Sequence, residues 1–186
     1  NPADAMSVKD TLSQISTALG NGRRFAAIAL TRGVITEMMK TLNPDDLLHR
    51  QFMVMLNLGH KLGLRSCEFF FTDFGDIKIE SVGFVWTQDW AKNDQDARGY
   101  VRSVQHGEHC DKKSHWDDPS KRCTACMMAE WIELLKKSGA IATTFLFRTV
   151  KCGAKVGDAA GFLGSALRPA MFSKLIRDTL RKVNDK

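Results

Sequence analysis

The chain has 186 residues, 44% of them hydrophobic, and a net charge of +6. That length and apolar content support a buried core without disulfides, while no apolar run reaches the ~18 residues that span a bilayer and no basic-then-apolar leader opens the sequence. Five cysteines, three of them in one polar stretch, exclude a disulfide framework spread along the chain and fit a reducing intracellular compartment, cytoplasm or nucleus.

Asn1 to Ala5, ahead of Met6, read as a junction outside the fold. Ser7 and Asp10 make a capping pair for a helix expected over 8–19, with Val8, Leu12, Ile15 and Leu19 on one face and Gly20-Asn21-Gly22 as its stop. A second helix is expected over 23–42, apolar at Phe25, Ile28, Ala29, Ile35, Met38 and Met39. Asn43 as cap, Pro44 in the first turn and Asp45-Asp46 behind it open a third helix over 44–61, with Leu48, Phe52, Met55 and Leu56 inward. Met38, Met39, Met53 and Met55 read as an adaptable core.

From 67 to 86 the pattern turns aromatic and β-branched, which predicts two strands joined at Phe74-Gly75. Asp73-Phe74-Gly75 spells the magnesium motif of protein kinases, but without a glycine-rich loop or an HRD segment it reads as a turn. Residues 87–122 are polar and partly helical in expectation. Met127, Trp131, Leu134 and Leu135 then mark a helix stopped at Ser138-Gly139, and 141–150 suits either a strand or a buried helix. Gly153, Gly157, Gly161 and Gly164 fit a bare helical stripe or an irregular segment equally well. A final helix is expected over 169–183, apolar at Phe172, Leu175, Ile176, Leu180 and Val183.

The fold class that follows is α+β: a mainly helical single domain with one β-hairpin and a zinc-stabilised loop ahead of a helix. Its parts are an N-terminal helical portion (6–66) and a portion (67–186) carrying the hairpin, the zinc loop and the C-terminal helices.

The chemistry concentrates in HGEHCDKKSHWDDPSKRCTAC, residues 106–126, which holds three of the five histidines and three of the five cysteines. Cys123-Thr124-Ala125-Cys126 supplies two thiolates from one tight turn before a helix, the usual second half of a tetrahedral zinc site. Cys110 and His115 complete a C-x4-H-x7-C-x2-C set for one structural zinc, with His106 and His109 as alternates to His115. Neighbours such as His109 and Cys110 point apart, so only one of those two is expected to bind. Cys67 and Cys152 read as small buried residues, and His49 and His60 as ordinary helix residues.

His106-Gly107-Glu108 with Cys123-x-x-Cys126 resembles the two halves of the zinc deaminases. That resemblance implies zinc on His106, Cys123 and Cys126, with Glu108 moving protons to an activated water. The family has a proline directly before its first cysteine, where this chain has Arg122. It also has a strand between the halves, where this chain has only a short charged stretch. No catalytic residue is assigned.

Positive charge is polarised. Residues 136–186 carry eleven Lys or Arg against three acids, a net +8, and the first 135 residues carry −2. Lys174, Arg177, Arg181 and Lys182 lie on the last helix, and Lys112, Lys113, Lys121 and Arg122 surround Trp116 in the zinc loop. Cations next to an aromatic that could stack on an unpaired base point to RNA or another nucleic acid. The alternative is a basic scaffold or matrix-like assembly protein that meets an anionic membrane surface and forms a homo-oligomer through its Met-rich helices or glycine stripe.

Overall fold

The computed structural model describes residues 30–64, 66–88, 99–108, 110, 116 and 118–185. The helix expected over 8–19 and residues 23–29 of the second lie outside the described residues, and the second does not run through Leu30 and Thr31 as expected, because Thr31 is extended and caps a helix that starts at Arg32; elements are numbered here among those described.

Thr31 caps α1 (Arg32–Lys40), its side chain accepting from the Val34 N–H. The next helix starts three residues later than expected. Asn43 closes a local turn, its side-chain oxygen accepting from the Asp45 N–H at 2.9 Å, and the cap is Asp46, which accepts from the His49 N–H at 2.9 Å at the head of α2 (Leu47–Leu62). Gly63 ends α2 in the left-handed conformation, φ 64°.

The hairpin differs from expectation. Ser66–Phe70 is a short helix, α3, because Glu68, Phe69 and Phe70 are all buried, and a strand would turn alternate residues to opposite faces. Phe69 and Phe70 meet Phe172 at 5.9 and 6.1 Å between ring centroids. Phe74–Asp76 is a single 3-10 turn laid against a distant loop, with the Phe74 and Gly75 N–H groups donating to the Thr144 and Ala142 carbonyls. A Cβ on Gly75 would lie 2.9 Å from the Ala142 oxygen, so close backbone approach explains the glycine.

The reversal falls at Ser81-Val82, between β1 (Ile77–Glu80) and β2 (Gly83–Gln88). Tyr-Val-Arg-Ser-Val-Gln, placed in a partly helical stretch by sequence, forms β3 (Tyr100–Gln105) and completes an antiparallel sheet of order β1-β2-β3. Ile77, Phe84, Trp86 and Val104 face the core from it.

Across this sheet and against α2 lies α4 (Thr124–Lys137). Its Trp131 is fully buried and donates from the indole to the Leu146 carbonyl at 3.0 Å. The stretch 141–150 is neither a continuous strand nor a helix: a loop burying Leu146 and Phe147 leads into β4 (Arg148–Val150). β4 pairs antiparallel with β5 (Phe162–Ala166). Between them Gly153 and Gly157 take positive φ, so this segment is irregular and there is no helical glycine stripe. α5 (Pro169–Asn184) closes the chain, packing on α1 and α3 with Phe172 and Leu180 buried.

The molecule is thus mixed α+β, and among the described residues it has two small antiparallel sheets rather than one hairpin. The buried apolar side chains form one contiguous cluster that includes Met38, Met39, Met53 and Met55. Among the described residues, no helix is long and apolar enough to cross a membrane.

One buried polar side chain ties two layers together. Gln51, fully buried on α2, donates to the Arg148 carbonyl at 2.9 Å and accepts from the Arg148 N–H at 2.8 Å, acting as a third strand for β4. Gln51→Leu leaves both backbone groups unpaired, a loss of about 1–3 kcal/mol. A lowered urea midpoint with unchanged m value is the expected result.

Candidate metal centre

Two chain segments build the centre. The first is the end of β3. Gly83 faces Gln105 across the ladder, and any Cβ there would run into the Val104 carbonyl, so glycine lets β3 lie close to the β1–β2 turn. The pairing continues one residue beyond the strand, where the His106 N–H donates to the Val82 carbonyl at 2.9 Å, and this sets the direction of the imidazole. The chain then turns, the Cys110 N–H donating to the Gly107 carbonyl at 3.0 Å, which brings the Cys110 thiol back beside the ring.

The second segment is the start of α4. Cys123 is its N-cap residue and Cys126 lies in its first turn, both buried. A helical start aims residues three apart to one side, so both sulfurs face the β3 end.

The donor atoms of His106, Cys110, Cys123 and Cys126 all lie within 4.8 Å of one another. His106 Nδ1 is 3.3 Å from Cys126 Sγ, 3.6 Å from Cys123 Sγ and 3.9 Å from Cys110 Sγ, and Cys110 Sγ is 3.3 Å from Cys126 Sγ. Donors held ~2.3 Å from a central ion at tetrahedral angles are separated by ~3.8 Å, so this group could hold a metal ion with little adjustment.

The electrostatics favour a cation. Burial opposes ionisation of the Cys123 thiol. The backbone N–H groups of Cys126 and Gly107, together with the His106 and Cys110 side chains, outweigh it and bring that thiol down to about 6. Burial and the adjacent Cys110 and Cys123 sulfurs push the Cys126 thiol the other way, well above its usual range. Three sulfurs this close without a countercharge cannot all ionise, and a bound cation removes that conflict.

Three of the four expected ligands, Cys110, Cys123 and Cys126, therefore converge, and among the described residues the histidine that joins them is His106, named in the sequence as an alternate. His115 and His109 lie outside the described residues, as do Lys112 and Lys113. The signal for His106 was its place at the end of an alternating strand, which holds a side chain more firmly than the middle of a polar loop does.

Trp116 and Arg122 turn inward, which corrects their expected place on a nucleic-acid surface. Trp116 is 4% exposed, its indole donating to the Glu130 carboxylate and its face covered by the Arg50 guanidinium at 4.3 Å, so no base can stack on it. Arg122 donates from Nε to Asn57 at 3.0 Å, from Nη1 to Thr36 and to the Pro119 carbonyl, and from Nη2 to the Arg32 carbonyl. Lys121 is exposed and pairs with Asp118 at 3.5 Å. Lys174, Arg177, Arg181 and Lys182 are exposed on α5. Cys152, expected to be buried, is exposed in the turn after β4.

No family model matches this chain, and neither the curated proteins nor the solved structures contain a match to it.

Purified without chelator, the chain is expected to carry one metal ion by native mass spectrometry and to lose it in His106→Ala and Cys126→Ser but keep it in His115→Ala. Retention in His106→Ala with loss in His115→Ala would assign the fourth position to His115. Because the Cys123 thiolate is lowered to about 6, it competes poorly for metal once protonated. The Cys126 thiol, held well above its usual range, must release its proton on binding, so affinity measured against a chromophoric chelator should fall as pH drops across the neutral range, and more steeply below about 6, where the Cys123 thiol also takes up a proton.

Proposed function

We propose that this chain is a nucleic-acid-binding protein, directed to RNA, whose His106, Cys110, Cys123 and Cys126 hold one structural zinc ion. Three thiolates and an imidazole at tetrahedral separations match the preferences of zinc. Four protein donors also make a closed set with no position for a water. That argues against deaminase-type chemistry at Glu108, whose mechanism needs three protein ligands and an open fourth position. Zinc supplies a cross-link between the end of β3 and the start of α4, and the residues around it do the binding.

The observation that carries the nucleic-acid reading is α5. Lys174, Arg177 and Arg181 fall at i, i+3 and i+7, one stripe along a helix whose other side is buried through Phe172, Thr179 and Leu180. None of the three, nor Lys182, has a carboxylate partner among the described residues. Unpaired cations at this spacing suit a phosphate backbone.

The membrane alternative is weaker on the same helix, because Phe172, Leu175, Ile176, Leu180 and Val183 pack into or against the core and leave no apolar side to enter lipid. The scaffold alternative loses the interfaces assigned to it: the four methionines are at most 1% exposed, and the glycines form no stripe.

Fluorescence anisotropy with a labelled single-stranded RNA tests the proposal. Arg177→Glu/Arg181→Glu is expected to weaken binding about tenfold and to flatten the log–log salt dependence by roughly 0.7 per lost phosphate contact, with zinc content unchanged. If the unmodified chain binds neither single- nor double-stranded RNA at low salt, the reading fails.

A further inference from the structure

A second group of cations gathers where the zinc loop meets the helices. Asn57, His60 and Lys61 share the last turns of α2, three and four residues apart on one side. Arg122, the residue before the ligand Cys123, reaches across from the loop. Its Nε binds Asn57, while Nη1 and Nη2 bind Thr36 and the Arg32 carbonyl at the start of α1. Arg32, His60 and Lys61 are exposed, and His60 lies within electrostatic reach of Arg122, Arg32 and Lys61.

The hydrogen-bonding capacity of Arg122 is largely used, but its charge is not neutralised, since all four of its acceptors are uncharged: an amide, a hydroxyl and two carbonyls. Among the described residues no carboxylate forms an ion pair with Arg32, Lys61 or Arg122. These charges act on one another. Partial burial lowers the His60 imidazole from its ordinary range, and Arg122, Arg32 and Lys61 lower it further.

Helix stability explains only part of the group. His60 and Lys61 suit the negative end of α2, but Arg32 is the first residue of α1, at the positive end, where a cation is disfavoured.

We infer that Arg32, His60 and Lys61, backed by the fixed charge of Arg122, form an oxyanion site that takes a phosphodiester of the bound nucleic acid. This deepens the reading of α5 given above and rests on it. The guanidinium of Arg32 offers a planar fork for two phosphate oxygens, and Lys61 and His60 offer point donors. Arg122 holds the potential in place because the loop that carries it is tied down one residue later at Cys123. α1 adjoins both basic groups, packing against α5 and against the turn Pro119–Lys121 that leads to Arg122, so one strand could reach from one group to the other.

The test uses the zinc-loaded chain, a labelled single-stranded RNA and phosphatidylserine vesicles. Three charge-reversal pairs are compared: Arg32→Glu/Lys61→Glu for the site, Arg177→Glu/Arg181→Glu for α5, and Lys136→Glu/Lys137→Glu as a control for net charge. The site pair is expected to weaken RNA binding about tenfold and lower the salt slope by roughly 1.4, two single-strand contacts. Zinc content and far-ultraviolet dichroism stay as in the parent, and the control pair has a clearly smaller effect. An unchanged affinity and slope for the site pair, with weakening by the α5 pair, overturns the site and leaves the α5 reading standing. Equal losses from the site and control pairs also overturn it, since net charge then explains both. Loss of vesicle binding without loss of RNA binding overturns it in favour of a lipid headgroup, and no RNA binding by the parent chain overturns both readings.

Discussion

The convergence of His106, Cys110, Cys123 and Cys126 is the constraint that joins the end of β3 to the start of α4. Between β3 and α4 the sequence is polar, and among the described residues there Trp116 and Pro119 are buried and Arg122 bridges to two helices. A metal ion shared by both ends of this stretch would add to its ordering, because coordination free energy then becomes folding free energy.

Such a cross-link would matter because of what α4 touches. The helix lies on β2 and β3 on one side and on α2 on the other, and its fully buried Trp131 reaches the loop before β4. The first turn of α4 carries Cys126, so the candidate centre sits at the joint between the three-stranded sheet and the helical layer. Trp116, Glu130 and Arg50 brace the same joint from a third direction. The buried Trp116 thus serves the interior, while the cations of α5 and Arg32 stay exposed.

Much of this was legible in the residues. α4 and α5 follow from strict helical spacing of apolar side chains, with a serine-glycine stop for one and a first-turn proline for the other. The donor cluster was legible because cysteine and histidine are rare and the short Cys-x-x-Cys spacing constrains geometry strongly. The hairpin was misplaced because β propensity describes how a side chain fits a half-buried surface. At Glu68, Phe69 and Phe70 that surface is an aromatic cluster buried on adjacent positions, which a helix supplies and a strand does not. β3 was missed because its alternation is largely polar: Tyr100, Val101, Ser103 and Gln105 are exposed, and Val104 is its one buried residue.

The sequence by itself determined the mixed α+β class, the residues able to bind a metal and the charge excess of the C-terminal quarter, since periodicity, donor chemistry and charge are local properties. Only the tertiary structure decided that His106 stands beside Cys110, Cys123 and Cys126, that Trp116 and Arg122 point inward, and that Arg122 and Arg32 come near His60. Each of these depends on which distant segments touch, and that is set by the shared core and the close approach of β3 at Gly83.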